Sequence, residues 1–238
     1  MFKNSRYKPL YKKFVRLRKN VQNRRKLLLS GFNKKKWQNL ITFLKILSKR
    51  RKKNFRSYDQ FSFFLPRYVN YYKKNFLNRL LAKQRLSLFY GSLQDYKLKR
   101  IVTSSKNKIK NNKIPLHNLF INKLENRLDT ILYRSHFAKS IRESRMLINH
   151  KHVYVNGNII NHGSYRLEKG DVISLSSSVS NLIKINVYSS NLWPLPPEYL
   201  QVNYKTFQIS ILDIENKYYL SILFPFWLDL NTILNYYK

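Results

Sequence analysis

The sequence contains no cysteine, which excludes a disulfide framework, a thiolate metal site and a cysteine nucleophile. Metal binding would depend on five scattered histidines, and no thiolate or carboxylate cluster accompanies His150 and His152. We therefore do not expect these histidines to bind a metal, and we expect no cofactor. Apolar runs are also short: none reaches the roughly 18 residues of a membrane-spanning helix, so we expect no contact with a membrane.

Acidic residues are scarce as well. The chain of 238 residues has 47 Lys and Arg against 11 Asp and Glu, a formal net charge of +36. This imbalance requires a polyanionic partner and is too large for an ordinary soluble enzyme with a small-molecule substrate. Residues 1–113 hold 34 cations and two acids, whereas residues 114–238 hold 13 cations and nine acids. The polyanion is therefore expected to bind mainly to the first half.

The first 58 residues contain no acid at all, and their clusters of Lys and Arg alternate with Tyr, Phe and Trp. A cleaved transit peptide would also be basic and free of acids. The basic pattern, however, continues to Lys113, well past the length of such a peptide. Because same-sign clusters repel one another unless phosphates neutralise them, we favour a retained basic N-terminal arm that contacts RNA.

Residues 71–113 predict two helices that meet near Gly91, followed by a basic linker. Apolar side chains recur at helical spacing up to Val102 and are expected in the core. From Ser105 to Lys113 the periodicity disappears, which predicts the linker. The cations interleaved along the helices are candidates for phosphate contact: Lys83, Arg85, Lys97, Lys99 and Arg100.

Two short helices are predicted next. A stripe of Leu and Ile predicts one helix over residues 122–134. Ser140 followed by Glu143 is a capping box, in which the serine accepts a bond from an unpaired N–H group and the glutamate reaches back to the cap. A second helix should therefore begin at Ser140, with Met146 and Leu147 facing the first helix.

A pair of arginines lies on another face of the second helix. Arg142 and Arg145 are three residues apart, which places both guanidinium groups on the same side. Two such groups suit a phosphate backbone, because a guanidinium binds phosphate oxygens in a bidentate way. We expect the double substitution Arg142→Ala and Arg145→Ala to weaken RNA binding by a few kcal/mol at most.

A small antiparallel sheet is predicted after the second helix. Asn156 and Gly157 stand between alternating apolar residues, the strongest short-range signal for a hairpin, since both central residues must reach positive φ. A second turn at residues 169–171 leads into a strand at residues 172–175. The sheet is expected to complete a compact unit with the two helices.

These helices and turns make residues 127–175 similar to the small RNA-binding module shared by small-subunit ribosomal protein S-four, certain pseudouridine synthases, a heat-shock RNA binder and bacterial-type tyrosyl-tRNA synthetases. The flanks favour the ribosomal family. Residues 82–93 resemble the segment that precedes the module there, and residues 197–203 and 230–238 resemble its C-terminal segment. Residues 6–24 resemble the mitochondrial branch of that family.

The resemblance implies an α+β fold in which a mainly helical domain receives the module as an insertion. The expected organisation is a basic N-terminal arm (1–70), the first part of the helical domain with its basic linker (71–113), the RNA-binding module (119–178) and a C-terminal segment that returns to the helical domain (190–238). The zinc-binding cysteines of some relatives are absent, so no metal is expected here.

The resemblance also implies residues that contact ribosomal RNA. Ser135 and His136 stand where the family usually has an apolar residue and glycine, so the turn between the two helices is expected to be altered. Arg142 is inferred from helix geometry alone, because the family often places an arginine at Ile141 instead. The contacts that the resemblance implies are Arg127, Arg145, Lys151, His152, Asn156, Ser164 and Tyr165.

The function implied is that of a non-catalytic constituent of the mitochondrial small ribosomal subunit, which binds small-subunit rRNA, supports early assembly and touches neighbouring small-subunit proteins. The resemblance to the mitochondrial branch implies a location in the mitochondrial matrix. The scarcity of Gly and Ala and the abundance of Lys, Asn and Ile are what A/T-rich codons would produce, as in many organelle genomes, so we expect an organelle-encoded protein.

Two other classes carry a similar module. A pseudouridine synthase needs a large catalytic domain, but only 238 minus 175, or 63, residues follow Leu175. A free RNA chaperone or RNA-processing cofactor would also be basic and stays open. Sedimentation distinguishes it, since a chaperone is released from the small subunit at high salt and a ribosomal protein is not.

Overall fold

A computed structural model describes residues 75–109, 115–190, 192, 195–212, 224 and 229–237, together with isolated positions between residues 13 and 46. The described residues contain helices and a five-stranded antiparallel sheet, so the predicted α+β class is confirmed. The N-terminal arm lies almost wholly outside the described residues.

The helices with described bounds are α1 (Asn75–Phe89), α2 (Asp95–Ile109), α3 (Leu116–Glu125), α4 (Leu128–Arg134), α5 (Ile141–Asn149), α6 (Ser180–Ser190) and α7 (Leu230–Tyr236). The strands are β1 (Val153–Val155), β2 (Asn158–Ile159), β3 (Val172–Leu175), β4 (Leu200–Asn203) and β5 (Gln208–Ile211). Their order across the sheet is β2-β1-β3-β5-β4, and all neighbours are antiparallel. None of the described helices is long and apolar enough to cross a membrane.

Helices α1 and α2 meet at Gly91, as predicted, and the turn requires a positive φ of 71° at this glycine. The predicted linker, however, begins too early, because α2 continues to Ile109. Ser105 is buried and its hydroxyl donates to the carbonyl of Ile101 at 2.8 Å, so it continues the inner face of the helix.

The prediction of one helix over residues 122–134 is wrong, because the chain breaks between α3 and α4. Arg127 is extended, with φ −84° and ψ 137°, and its backbone bridges to Arg166. The N–H groups of Leu128 and Asp129 then donate to carbonyls of the loop before β3, at 3.0 and 3.1 Å. The uniform apolar stripe could not show this, since the partners are distant in sequence.

The second predicted helix is confirmed as α5, with Ser140 as its N-cap. The Ser140 hydroxyl accepts from the N–H of Glu143 at 3.2 Å, and the Glu143 carboxylate reaches back to the N–H of Lys139 at 2.5 Å. Leu147 is buried as predicted, but Met146 is 47% exposed and does not face α4. In the turn before α5, His136 takes a φ of 65°, a left-handed conformation for which glycine is the usual residue.

The hairpin of β1 and β2 turns at Asn156 and Gly157, both with positive φ, as predicted. The sheet is larger than expected. Strand β5 pairs with β3, with Ile209 opposite Ile173, so residues 200–211 belong to the same sheet as the module. Their alternating pattern buries Ile209 and Ile211 on one face, whereas the sequence assigned them to the returning C-terminal segment.

Two apolar cores result. One unites the helical parts and includes Leu86 of α1, Phe120 of α3 and Ile233 of α7. The other lies beneath the sheet and includes Leu132 and Ile173. Helix α7 thus packs against α1, far earlier in the chain.

Candidate nucleic-acid interface

Two of the predicted RNA contacts, Arg127 and Arg145, meet around one buried carboxylate. Asp129 is fully buried in α4, and Arg127 donates to its two oxygens from Nε at 3.0 Å and from Nη2 at 2.9 Å. Arg145 of α5 donates from Nε to Oδ2 at 2.7 Å. Two guanidinium groups share one carboxylate, so the cluster keeps an excess positive charge at the edge of the module.

The loop of residues 163–165 is fixed against this cluster. It accepts hydrogen bonds from the first two N–H groups of α4. Gly163 allows the close approach, since a Cβ there would lie 3.2 Å from Cγ of Arg145 and 3.3 Å from Cβ of Asp129. Ser164 and Tyr165 remain exposed beside the arginines. The structure therefore brings four of the predicted contacts together.

Arg145 also has partners that the sequence did not reveal. Its Nη1 donates to the carbonyl of Gly91 and its Nη2 to the carbonyl of Tyr90, both at 2.8 Å. The side chain is 20% exposed. Arg142, one turn earlier on α5, is partly exposed. Contact of either arginine with RNA stays a prediction, and for Arg145 it must coexist with three internal hydrogen bonds.

The remaining module contacts lie around the β1 strand. Lys151 is exposed with a φ of 61°, directly after α5. His152 is partly buried, and its Nδ1 lies 3.1 Å from the hydroxyl oxygen of Ser176. Asn156 occupies the hairpin turn at the other end of β1, where its amide donates to Asp171 at 2.9 Å and its oxygen accepts from the N–H of Val172. These residues do not form one cluster with the two arginines.

Lys83 of α1 is engaged inside the protein. Its ammonium lies 2.7 Å from an Asp95 oxygen and 3.3 Å from the Tyr236 hydroxyl, and the side chain is 12% exposed. Burial opposes its charge, but the bonds to Asp95 and Tyr236 raise the pKa of Lys83 above its ordinary value. Lys83 therefore ties α1 to α2 and α7, a role that the sequence did not predict. Arg85 is partly buried and donates to the carbonyl of Leu81 in its own helix.

Three cations of α2 are exposed to solvent, unlike Lys83 and Arg85 of α1. Leu98 and Val102 are buried on the inner face of this helix, whereas Lys97, Lys99 and Arg100 are exposed. The interleaved pattern predicted phosphate contact for these three residues as for Lys83, and that contact stays a prediction. Among the described residues, no group of His, Asp or Glu could hold a metal ion.

Comparison with known proteins bears directly on this surface. Residues 126–173 match the S4 domain. Over 181 residues the chain is 38% identical to "Small ribosomal subunit protein uS4m" of Reclinomonas americana. The aligned residues make up 71% of this chain and 68% of the relative. The chain belongs to the uS4 family of small ribosomal subunit proteins.

Other members of the uS4 family support the same assignment. The relative from Marchantia polymorpha, also named uS4m, is 31% identical to this chain. The aligned part makes up 68% of this chain and 79% of that relative. The bacterial uS4 of Pelagibacter ubique is 29% identical over 67% of this chain and 75% of its own length. These relatives are structural ribosomal proteins, so the expectation that the chain is not an enzyme agrees with its family.

A buried charged network supports the interface of this uS4 protein from within. Glu125 of α3 accepts from Arg134 of α4 at 3.0 and 2.7 Å, from the Tyr90 hydroxyl at 2.6 Å and from the Tyr199 hydroxyl at 2.9 Å. Burial by itself would raise the pKa of Glu125, but Arg134 and the two tyrosines hold it below its ordinary value. The carboxylate is therefore charged at neutral pH, and it joins four segments of the chain.

Sequence reasoning missed Asp129 and the carbonyls at Tyr90 and Gly91, which orient the predicted contacts Arg127 and Arg145. It also missed Glu125, which binds Arg134 in the buried network. No signal in the sequence separates these two acids from the others, since Glu168 and Asp171 are spaced as closely and residues 114–238 are close to balanced in charge. Their arginine partners become visible only in the fold.

Proposed function

We propose that this chain is a structural constituent of the mitochondrial small ribosomal subunit, where it binds small-subunit rRNA and supports early assembly. The observation that carries the proposal is its 38% identity to a mitochondrial uS4m protein. A second uS4m relative and the organelle-like composition support an organelle-encoded protein of the mitochondrial matrix. Its other partners would be neighbouring small-subunit proteins.

In this proposal each segment of the chain contributes differently to RNA binding. The basic N-terminal arm (1–70) and the helical part (71–113) supply most of the charge that neutralises phosphates. The inserted module (119–178) supplies shape recognition, since A-form RNA presents mainly phosphates, 2′-hydroxyl groups and groove shape. The segment 190–238 closes the helical domain through α7, which packs on α1.

Within the module, the exposed groups around Asp129 are the best placed for RNA. Arg127 and Arg145 are held in fixed orientations, so little side-chain entropy is lost when a phosphate binds near them. The exposed Ser164 and Tyr165 offer hydroxyl groups to the same strand of RNA. Lys151, His152, Asn156 and Arg142 would extend the contact along the module.

Helix α2 would provide a second contact surface. Its exposed cations follow one turn of helix, and the Lys97 ammonium lies 5.9 Å from the centre of the exposed Tyr96 ring. A basic helix face with an accessible aromatic ring suits a phosphate backbone with a neighbouring base. Lys83 and Arg85 lie on α1 and are partly buried, as Arg127 and Arg145 are, so their contact with RNA would use a limited exposed area.

The double variant Lys97→Ala and Arg100→Ala tests this surface. We expect the affinity for a small-subunit rRNA transcript to fall, and the slope of log affinity against log salt to become shallower by about two, one for each lost phosphate contact. Filter binding with the full chain measures both. The matched control is Lys184→Ala with Lys205→Ala, which removes the same charge from exposed positions on α6 and the β4–β5 turn. An equal change in both double variants would contradict a specific role for α2.

A further inference from the structure

We propose that Arg145 is a positioning residue that fixes the α1–α2 hairpin to the module, so that the cations of α2 and the exposed groups around Asp129 meet one RNA at a set spacing. The inference rests on the proposed function, because it concerns how that RNA site is held together. We call the contacts of Arg145 with Tyr90, Gly91 and Asp129 the latch.

The latch joins three segments through one guanidinium group. Nε binds Asp129 in α4, while Nη1 and Nη2 bind the carbonyls of Gly91 and Tyr90 in the turn between α1 and α2. The turn and α5 are 54 and 55 residues apart in sequence. All three distances lie between 2.7 and 2.8 Å, which is typical of charge-assisted hydrogen bonds. Only arginine presents three donors in one rigid plane, so lysine would not reproduce the contact.

The absence of a side chain at Gly91 leaves room for the Arg145 guanidinium. A Cβ at this position would lie 2.8 Å from Nη1 and 3.0 Å from both Cζ and Nη2 of Arg145. Its φ of 71° is also a conformation that other residues adopt with strain. The turn therefore needs glycine for two independent reasons, and one of them is the approach of the guanidinium.

The same turn is held from the opposite side. The Tyr90 ring is fully buried and its hydroxyl donates to Glu125 at 2.6 Å. Arg145 thus binds the backbone carbonyl of Tyr90, while Glu125 of the buried network binds its side-chain hydroxyl. Because both ends are held, the hairpin has little freedom to turn relative to the module.

A rigid connection matters for RNA binding. When two surfaces bind one RNA, the second contact is intramolecular, and its strength depends on how well the connection presets the spacing. A hinge at Gly91 would lower that effective concentration while leaving the charge of both surfaces unchanged. The latch therefore predicts that geometry at this turn contributes to affinity separately from charge.

The test uses the absence of cysteine. Introducing Thr103→Cys on α2 and Asn181→Cys on α6, both exposed, allows specific spin labelling of the full chain. Distances between the labels are measured by pulsed electron paramagnetic resonance, and affinity for a small-subunit rRNA transcript by filter binding. The variants are Arg145→Lys, which keeps the charge, Gly91→Ala, which changes no charge, and Lys205→Ala as a charge-removing control.

We expect a narrow distance distribution in the parent and in Lys205→Ala. Arg145→Lys and Gly91→Ala should broaden it and weaken rRNA binding about tenfold. Circular dichroism shows whether each variant is folded, and Gly91→Ala decides the test if Arg145→Lys is not. Unchanged distances in both variants would overturn the latch. So would parental affinity in Arg145→Lys, because lysine keeps the charge but not the three donors, and a plain charge contact with RNA would then be sufficient.

The two proposals fail in different ways. If the parent does not bind rRNA but the variants still broaden the distances, the latch stands and the proposed function falls. If the parent binds rRNA and the variants change neither distance nor affinity, the function stands and the latch falls.

Discussion

Replacing Arg134 with alanine is expected to destabilise the protein by about 3 to 5 kcal/mol. The substitution leaves the Glu125 carboxylate, which is 1% exposed, without its counter-ion beneath Tyr90 and Tyr199. It also removes the guanidinium from the rings of Phe89 and Phe224, whose centres lie 5.2 and 5.7 Å away. Urea denaturation of the full chain, followed by circular dichroism, measures the loss.

The control is the double variant Arg134→Met with Glu125→Leu. Because it removes both charges together, it should be more stable than Arg134→Ala alone. If Arg134→Ala were no more destabilising than the double variant, the ion pair would not be the reason for the loss, and the account of this network would fail.

The effect of Arg134→Ala should also depend on pH. Arg134 and the tyrosine hydroxyls hold the pKa of Glu125 below its ordinary value, so the ionised carboxylate contributes stability above that ordinary value. This contribution is lost as the pH falls through the lowered pKa. In Arg134→Ala, burial without the counter-ion raises the pKa of Glu125, so the variant takes up its proton first as the pH falls. The difference in stability between wild type and Arg134→Ala is therefore expected to be larger at pH 7 than in acid, and to shrink until the pH is below the lowered pKa of wild type, where Glu125 is neutral in both proteins.

Affinity for small-subunit rRNA is expected to fall steeply with salt. With a formal charge of +36 and most cations before residue 114, the chain can neutralise many phosphates. If it makes about 6 to 10 such contacts, binding should weaken by roughly 10³ to 10⁵ between 50 and 200 mM salt, because each contact releases counter-ions. Filter binding over this range measures the slope.

An uncharged comparison makes this result specific. Adding glycerol or sucrose in place of salt does not screen charge, so the affinity for rRNA should stay close to its low-salt value. An affinity that does not change with salt would contradict the electrostatic account, whatever RNA is used.

Local signals in the sequence predicted much of the fold. The Ser140 and Glu143 box placed the start of α5, and the Asn156-Gly157 pair placed the β1–β2 turn, because each signal is complete within four residues. Gly91 located the turn between α1 and α2 for the same reason. Where an element is determined by residues close together in the chain, the sequence was sufficient to predict it.

The errors have long-range causes. The break between α3 and α4 is stabilised by carbonyls from the loop before β3, and β5 joins the sheet through pairing with β3. In the site, Lys83 and Arg145 were predicted from their charge, but the acids and carbonyls that hold them lie 12 to 55 residues away. A cation's type is visible in the sequence, whereas its partner is not.

Sedimentation of the full chain in mitochondrial extracts tests the central claim most directly. An epitope-tagged chain is followed through a sucrose gradient at high salt, beside the small-subunit rRNA. We predict that it stays with the small subunit, because a ribosomal constituent is buried among many contacts with RNA and protein. Release to the top of the gradient, with the small subunit intact, would contradict the claim and favour a free RNA chaperone.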